Sequence, residues 1–170
     1  MGWCRPLGAV PAYPGPVSPR IAQADQVDRA ALLEFLRPRH HALLSTVRRD
    51  GRPQISPVAM GVDAQGRIVI STYPSRAKVA NARRHPEVSL CVLSDDWDGP
   101  WVQVDGVAEV LDLPAALDPL VDYYRSIAGE HPDWEEYRQA MQRQGKSLIR
   151  VEPQQWGPVA TGGFPPGFSS

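Results

Sequence analysis

Cysteine is nearly absent from this chain: of its 170 residues only Cys4 and Cys91 are cysteines, too few for a disulfide framework or a zinc-ligand spacing. A reducing cytoplasm is the expected location. Neither sign of charge is in excess, since 18 Lys and Arg stand against 19 Asp and Glu. Bulk nucleic-acid binding needs a basic surplus and is therefore not expected. No apolar run approaches the ~20 residues of a membrane span, and Met1 to Arg20 lacks the apolar core of a signal peptide. Asp95 and Asp96 form an acidic doublet before Trp97, but two carboxylates in a loop read as solvated rather than as metal ligands, so no metal is expected. What remains is one globular domain with a small, acidic ligand as the expected partner.

Proline and glycine are plentiful, and they mark the ends. Residues 1–24 carry Pro6, Pro11, Pro14, Pro16 and Pro19 with little apolar periodicity, a composition that cannot bury enough surface to offset its ordering entropy. A disordered tail is predicted there. Residues 158–170 form a Gly/Pro-rich strap that Trp156, Phe164 and Phe168 could anchor, leaving 25–157 as the folded domain.

Within the domain, Val27, Ala31, Leu32, Phe35 and Leu36 fall on one helical face that ends at Pro38. Two strands, His41 to Arg48 and Pro53 to Met60, flank Asp50-Gly51, a hairpin signal because glycine adopts positive φ freely. A turn at Asp63 to Gly66 leads into Arg67 to Thr72, predicted to complete a three-strand meander. Glu87 to Leu93 and Trp101 to Leu111 are further strands, the second interrupted by Gly106 as at a bulge. Helices are predicted over Pro114 to Ala128 and Pro132 to Gln144, with Tyr123, Tyr124, Trp134 and Tyr137 as packing anchors, and a sixth strand at Ser147 to Glu152. Strands without a crossover repeat indicate an antiparallel barrel.

The most informative stretch runs from Ser71 to Arg84: a strand end, a proline turn and a short helix with Arg76 and Lys78 at its start. A helix amino terminus exposes unpaired N–H groups and a partial positive charge, so it normally recruits acidic residues. Cations there call for an outside anion, with Ser75 as N-cap and a phosphate on the first-turn amides. The alternative is a pair of solvated cations on a surface helix. Basic residues also gather nearby at Arg48, Arg49, Arg52, Arg83 and Arg84.

Four segments in order, Asp50-Gly-Arg-Pro-Gln-Ile-Ser-Pro57, Ser71-Thr-Tyr-Pro-Ser-Arg-Ala-Lys-Val-Ala-Asn81, Arg84-His-Pro86 and Val104-Asp-Gly-Val-Ala-Glu109, together resemble the pyridoxamine-5′-phosphate-oxidase-like split-barrel family. The pairing of the first two looks most like the branch that uses the deazaflavin coenzyme F420, and Ile127 to Met141 adds to the similarity. The resemblance implies a mainly β fold with flanking helices, a six-stranded antiparallel split β-barrel of the FMN-binding type. It also implies a homodimer with two cofactor sites at the interface. Carried over, Arg52, Pro53, Gln54 and Ser56 would line one wall, with Ser71 and Thr72 at the strand end. Arg76, Ala77, Lys78 and Asn81 would hold the phosphate-bearing arm, and Trp101 and Gln103 would complete the cofactor-binding set from the partner side.

The implied activity is an F420H2-dependent oxidoreductase that moves a hydride to an unsaturated organic acceptor. FMN in a pyridoxamine-phosphate-oxidase-like enzyme is the alternative cofactor, although Gln154, Gln155 and Trp156 stand where a second phosphate clamp would need basic residues. A non-catalytic flavin- or deazaflavin-binding protein is the rival of a different class. No catalytic acid or base emerges, because His40, His41, His85 and His131 all lie outside the cofactor motifs. Trp101 shares a strand face with Gln103 and Asp105 rather than with Val102 and Val104. Both stacking on a ring and packing at a dimer interface remain open for it.

Overall fold

A computed structural model describes residues 21–164. The elements are β1 (Gln23–Asp25), α1 (Arg29–Leu36), β2 (His41–Val47), β3 (Pro53–Ala59), β4 (Gly61–Val62), β5 (Ile68–Thr72), α2 (Ala77–Arg84), β6 (Glu87–Leu93), β7 (Val102–Asp112), α3 (Leu117–Ala128), α4 (Trp134–Gln144), β8 (Ser147–Trp156) and β9 (Val159–Thr161). Cys4, Phe168 and the Pro-rich segment up to residue 20 lie outside the described residues. Residues 21–24, counted with that segment in the sequence reading, carry a bridge from Ile21 to Phe164 and most of β1, which pairs with β9.

Strand alternation builds the barrel wall. In β2, Ala42, Leu44 and Thr46 are buried while His41 and Leu43 face out, and Val102 and Val104 of β7 do the same. One antiparallel sheet runs in the order β3-β2-β6-β7-β8-β5-β4. It curls until β3 and β5 come into contact without pairing, so the architecture is a split barrel. The wall has the six long strands expected, with the two-residue β4 added at one edge.

The expected three-strand meander does not form. β3 ends at Ala59, Met60 turns fully into the core, and the Asp63–Gly66 turn pairs β5 only with β4. The main partner of β5 is β8, with Thr72 opposite Ser147. Barrel closure, not chain order, decides that pairing.

Gly106 is where β7 bends. The ladder to β8 shifts register between Asp105 and Gly106, and a Cβ at Gly106 would lie 2.4 Å from the Glu152 carbonyl oxygen and 2.8 Å from Val151 Cγ1. Only a residue without Cβ allows the two strands to approach so closely.

Two apolar clusters hold the molecule together. The barrel interior packs Leu44, Leu90, Val104 and Ile149 against Leu32 and Leu36 of α1 and Val79 and Ala82 of α2. Outside the wall, Val69 and Leu148 are covered by Leu120, Val121, Tyr123, Tyr137 and Met141 of α3 and α4. Tyr124, His131, Trp134 and Tyr137 form an aromatic group of edge-on and tilted pairs with centroids 5.0–5.8 Å apart, which gives three of the four predicted anchors their role, while Tyr123 packs in the adjoining apolar cluster. Among the described residues no helix is long and apolar enough to cross a membrane.

Candidate functional site

At the split of the barrel the ladder stops, and α2 enters with its amino terminus. A cleft of about 410 Å³ opens there, lined by Gln54 and Ser56 of β3, Ser71 and Thr72 of β5, Tyr73, Arg76, Ala77, Lys78 and Lys146. The chain folds this way because Val79 and Ala82 are buried in the barrel core, which drives α2 across the opening and leaves its first turn at the gap.

That first turn lacks every usual compensation. Ser75 is not the N-cap: the cap is Arg76, in extended conformation and without a side-chain hydrogen bond, and no acidic residue occupies the turn. Proline at position 74 places the tight turn one residue later than the capping pattern suggests, closed by Arg76 N–H donating to the Tyr73 carbonyl at 3.1 Å. The N–H groups of Ala77 and Lys78 therefore point out of the helix unbonded among the described residues.

The cations around it are uncompensated too. Arg76, Lys78 and Lys146 make no ion pair among the described residues; Arg37, Arg39, Arg48, Arg49 and Arg84 make none either, but only the first three line this cleft. Burial, and then the neighbouring Arg76, hold the Lys78 ammonium below its ordinary pKa. Thr72 supplies a further unmet group. It is only 5% exposed, its hydroxyl makes no hydrogen bond within the described residues, and no fully enclosed side-chain oxygen lacks a partner. The hydroxyl accordingly faces the cleft it lines.

Gln54, Ser56, Ser71, Thr72, Arg76, Ala77 and Lys78 thus converge as the sequence suggested. Other expected residues stand elsewhere. Arg52 is folded back on Asp50, with Nη2 2.6 Å from Oδ2, and its hydrogen bonds keep the Asp50 carboxyl low in pKa. Pro53 is exposed at the start of β3. Asn81 is buried, and its Nδ2 donates to Thr46 Oγ1 at 3.1 Å instead of reaching the cleft. Trp101 and Gln103 project from the opposite, outer face of the sheet. Arg83 is spent on Asp112, and Arg84 donates to Asn81 Oδ1 at 3.3 Å.

Two lining residues were not among the expected site residues, although Tyr73 lies inside the Ser71–Asn81 segment. Tyr73 and Lys146 meet because Thr72 pairs with Ser147, which places the next residues of both strands side by side. Only the cross-sheet register could have revealed them. The cleft contains neither a carboxylate nor a histidine: His40 Nδ1 rests 3.1 Å from the Met60 carbonyl, His41 is beside Asp95, and His131 lies in the aromatic group.

A larger hollow of about 580 Å³ lies on the outer face, between Leu43, Cys91, Leu93, Trp97, Trp101 and Phe164. Its charged groups are Asp96 and Asp98, whereas those of the smaller cleft are Arg76, Lys78 and Lys146. Burial pushes the Cys91 thiol up in pKa and keeps it protonated.

Residues 29–160 match the family model for pyridoxamine 5′-phosphate oxidase. Among solved structures, the chain is similar to a conserved hypothetical protein from Mycobacterium tuberculosis at 24% identity and TM-score 0.65, covering 81% of this chain and 87% of that one. It is similar to an F420 reductase at 22% identity and TM-score 0.55, over 72% and 94% of the two chains. It is similar also to the heme storage protein from Vibrio cholerae at 20% identity and TM-score 0.59, over 79% and 95%. At these identities the likeness speaks to the fold.

Proposed function

The chain belongs to the pyridoxamine 5′-phosphate oxidase family, and we propose that it is an F420H2-dependent reductase acting on an unsaturated organic acceptor such as a quinone, an enone or a linear tetrapyrrole. The observation that carries this reading is the uncapped first turn of α2 with Arg76 and Lys78 uncompensated beside it. A phosphodiester fits that set: it accepts from the Ala77 and Lys78 N–H groups and from Thr72 Oγ1, and it pairs with both cations. Arg76 suits the planar contact and Lys78 acts as a point charge.

Once bound, the reduced deazaflavin supplies a hydride from C5. The protein's part is orientation and exclusion of water. Gln54 and Ser56 form the wall on the β3 side, and Gln54 Nε2 donates to Ser56 Oγ at 2.6 Å, which leaves the Ser56 proton free to donate into the cleft. The lining holds no carboxylate or histidine, so the proton that completes reduction comes from solvent or from the Tyr73, Lys78 or Lys146 side chain.

The second wall comes from a second copy of the chain. Leu43, Trp97, Trp101 and Phe164 line one hollow on the outer face and Ile55 stands on β3, Ile55 being 61% exposed and Trp97 90%, the kind of apolar surface a monomer covers by self-association. In that dimer Trp101, Gln103, Arg52 and Pro53 take their cofactor-side roles. FMN is the alternative occupant, since its phosphate meets the same first turn. The lack of a carboxylate or histidine in the lining is the observation behind the non-catalytic reading.

The test is oxidation of F420H2 by the purified protein across a panel of quinones, enones and tetrapyrroles. Turnover above the protein-free rate supports the reductase. Tight binding without turnover for any acceptor makes the chain a cofactor-binding protein, and turnover with FMN alone returns it to the oxidase type.

A further inference from the structure

Lys146 belongs to no motif, yet the fold fixes it at the mouth of the cleft. Helix α4 ends at Gly145, whose φ of +59° and ψ of +44° only a residue without Cβ adopts cheaply. Gly145 N–H donates to Gln142 O and Lys146 N–H to Met141 O, the paired bonds of a Schellman turn. β8 begins at the next residue, with Ser147 opposite Thr72. Lys146 therefore falls opposite Tyr73, and its Nζ lies 3.8 Å from the centroid of that ring. The Tyr73 hydroxyl donates to Gln144 Oε1 at 3.3 Å, which steadies the ring from the same turn.

The arrangement gathers like charge. Arg76 Cζ lies 5.9 Å from the same ring, so one tyrosine attracts two cations that otherwise repel each other. Lys146 is half-buried and, like Arg76 and Lys78, pairs with no carboxylate among the described residues. One phosphodiester carries a single negative charge, and Lys78, Arg76 and the helix terminus already meet it. The third cation is left for something else, and the Thr72 hydroxyl, which bonds to nothing among the described residues, faces the same open cleft.

Resting on the F420 reading above, we propose that Lys146, held on the Tyr73 ring, binds a second anionic group of the ligand: the carboxylates of the oligoglutamate tail, where that tail leaves the cleft past the α4–β8 turn. Tyr73 is a positioning residue for it. The pair then decides how strongly the protein prefers a tailed deazaflavin over one that ends at the phosphodiester, and over FMN, which has no second anionic group.

The experiment is fluorescence titration of the full chain and of Lys146→Gln and Lys146→Arg with three ligands: F420 with its glutamates, the same deazaflavin ending at the phosphodiester, and FMN. The expected result is tighter binding of the tailed form by the unaltered protein. Lys146→Gln loses about two- to fivefold for that form alone, as for one partly exposed ion pair, Lys146→Arg retains it, and the melting temperature stays constant. Equal binding of tailed and tailless deazaflavin by the unaltered protein, or an equal loss for both forms in Lys146→Gln, overturns this assignment and leaves the reductase standing. Preference for FMN, or binding of none of the three, overturns the function and this assignment together.

Discussion

Asn81 and Thr46 are joined inside the barrel by a hydrogen bond of 3.1 Å from Nδ2 to Oγ1, between side chains 6% and 0% exposed. Thr46 Oγ1 lies 3.2 Å from Gln54 Oε1, and Gln54 Nε2 donates to Ser56 Oγ. A single chain of bonds thus leads from the middle of α2, through β2, to the β3 wall of the cleft, and it fixes which end of the Gln54 amide faces Ser56.

Thr46→Val keeps the shape and removes the oxygen. Asn81 then holds a buried donor without a partner, and the expected loss is about 1–3 kcal/mol of stability. Cofactor affinity falls as well, because the Gln54 amide is free to turn over. Urea unfolding together with a binding titration checks both; unchanged affinity in a folded variant would show that Gln54 does not face the ligand.

Lys78→Ala is expected to weaken cofactor binding roughly tenfold or more, on the scale of a charge-assisted bond in a half-buried site. Arg84→Ala is expected to change it by less than about twofold, as Arg84 sits at the far end of α2 and donates to Asn81. Equal losses in the two titrations would contradict the placement of the anion at the amino terminus of α2.

Affinity should also fall on the alkaline side, earlier than an ordinary lysine would allow. Burial and Arg76 lower the Lys78 pKa in the free protein, so raising the pH through that lowered value removes the charge that the anion needs. A bound anion favours the ammonium and moves the same pKa back up, so binding takes up protons in this range. Lys78→Arg stays charged throughout, and its affinity profile is expected to be flatter above neutral pH.

Tyr137 governs alkaline stability. Burial, then Tyr123 and Tyr124, push its pKa up to about 12, against about 10 in an unfolded chain. A raised folded value contributes stability that is whole below the unfolded value and is lost as pH rises through the folded one. Unfolding free energy is therefore expected to decline between about pH 10 and 12. In Tyr137→Phe, which gives up the bond to the Leu120 carbonyl, that decline becomes shallower; denaturant titrations at stepped pH measure it.

Leu43→Asp combined with Ile55→Asp places two charges on the outer face without touching the core, since both side chains are among the exposed apolar ones. Light scattering is expected to give a dimer for the parent chain and a monomer for the double variant, with cofactor affinity reduced by the loss of the second wall. A monomeric parent chain would leave the apolar face to another partner.

The longer elements were legible because each rests on local pattern: Ala42, Leu44 and Thr46 alternate, Leu32 and Leu36 are a helical turn apart, and Gly106 interrupts a strand where only glycine fits; the short β1, β4 and β9, and the run of β8 past the expected end at Glu152 to Trp156, were not. The α2 cation pair was legible for the same reason, since position relative to a helix start is a local property. The pairing of β5 with β8 was not, because it depends on how a whole sheet closes. Motif spacing also put Asn81 on the right helix but could not show that its amide turns inward to Thr46, nor that Asp50 draws Arg52 back over its own turn. Lys146 needed the most: a left-handed turn at Gly145, the register of Thr72 with Ser147, and the ring of Tyr73.

The most direct measurement is a pair of equilibrium titrations of the purified chain, with F420 and with FMN, each at low and at high salt. The account predicts tight binding of F420, weaker binding of FMN, and a marked loss of F420 affinity as salt screens the cations at the cleft. FMN bound more tightly than F420, or F420 affinity indifferent to salt, would contradict a site built on Arg76, Lys78 and the bare first turn of α2.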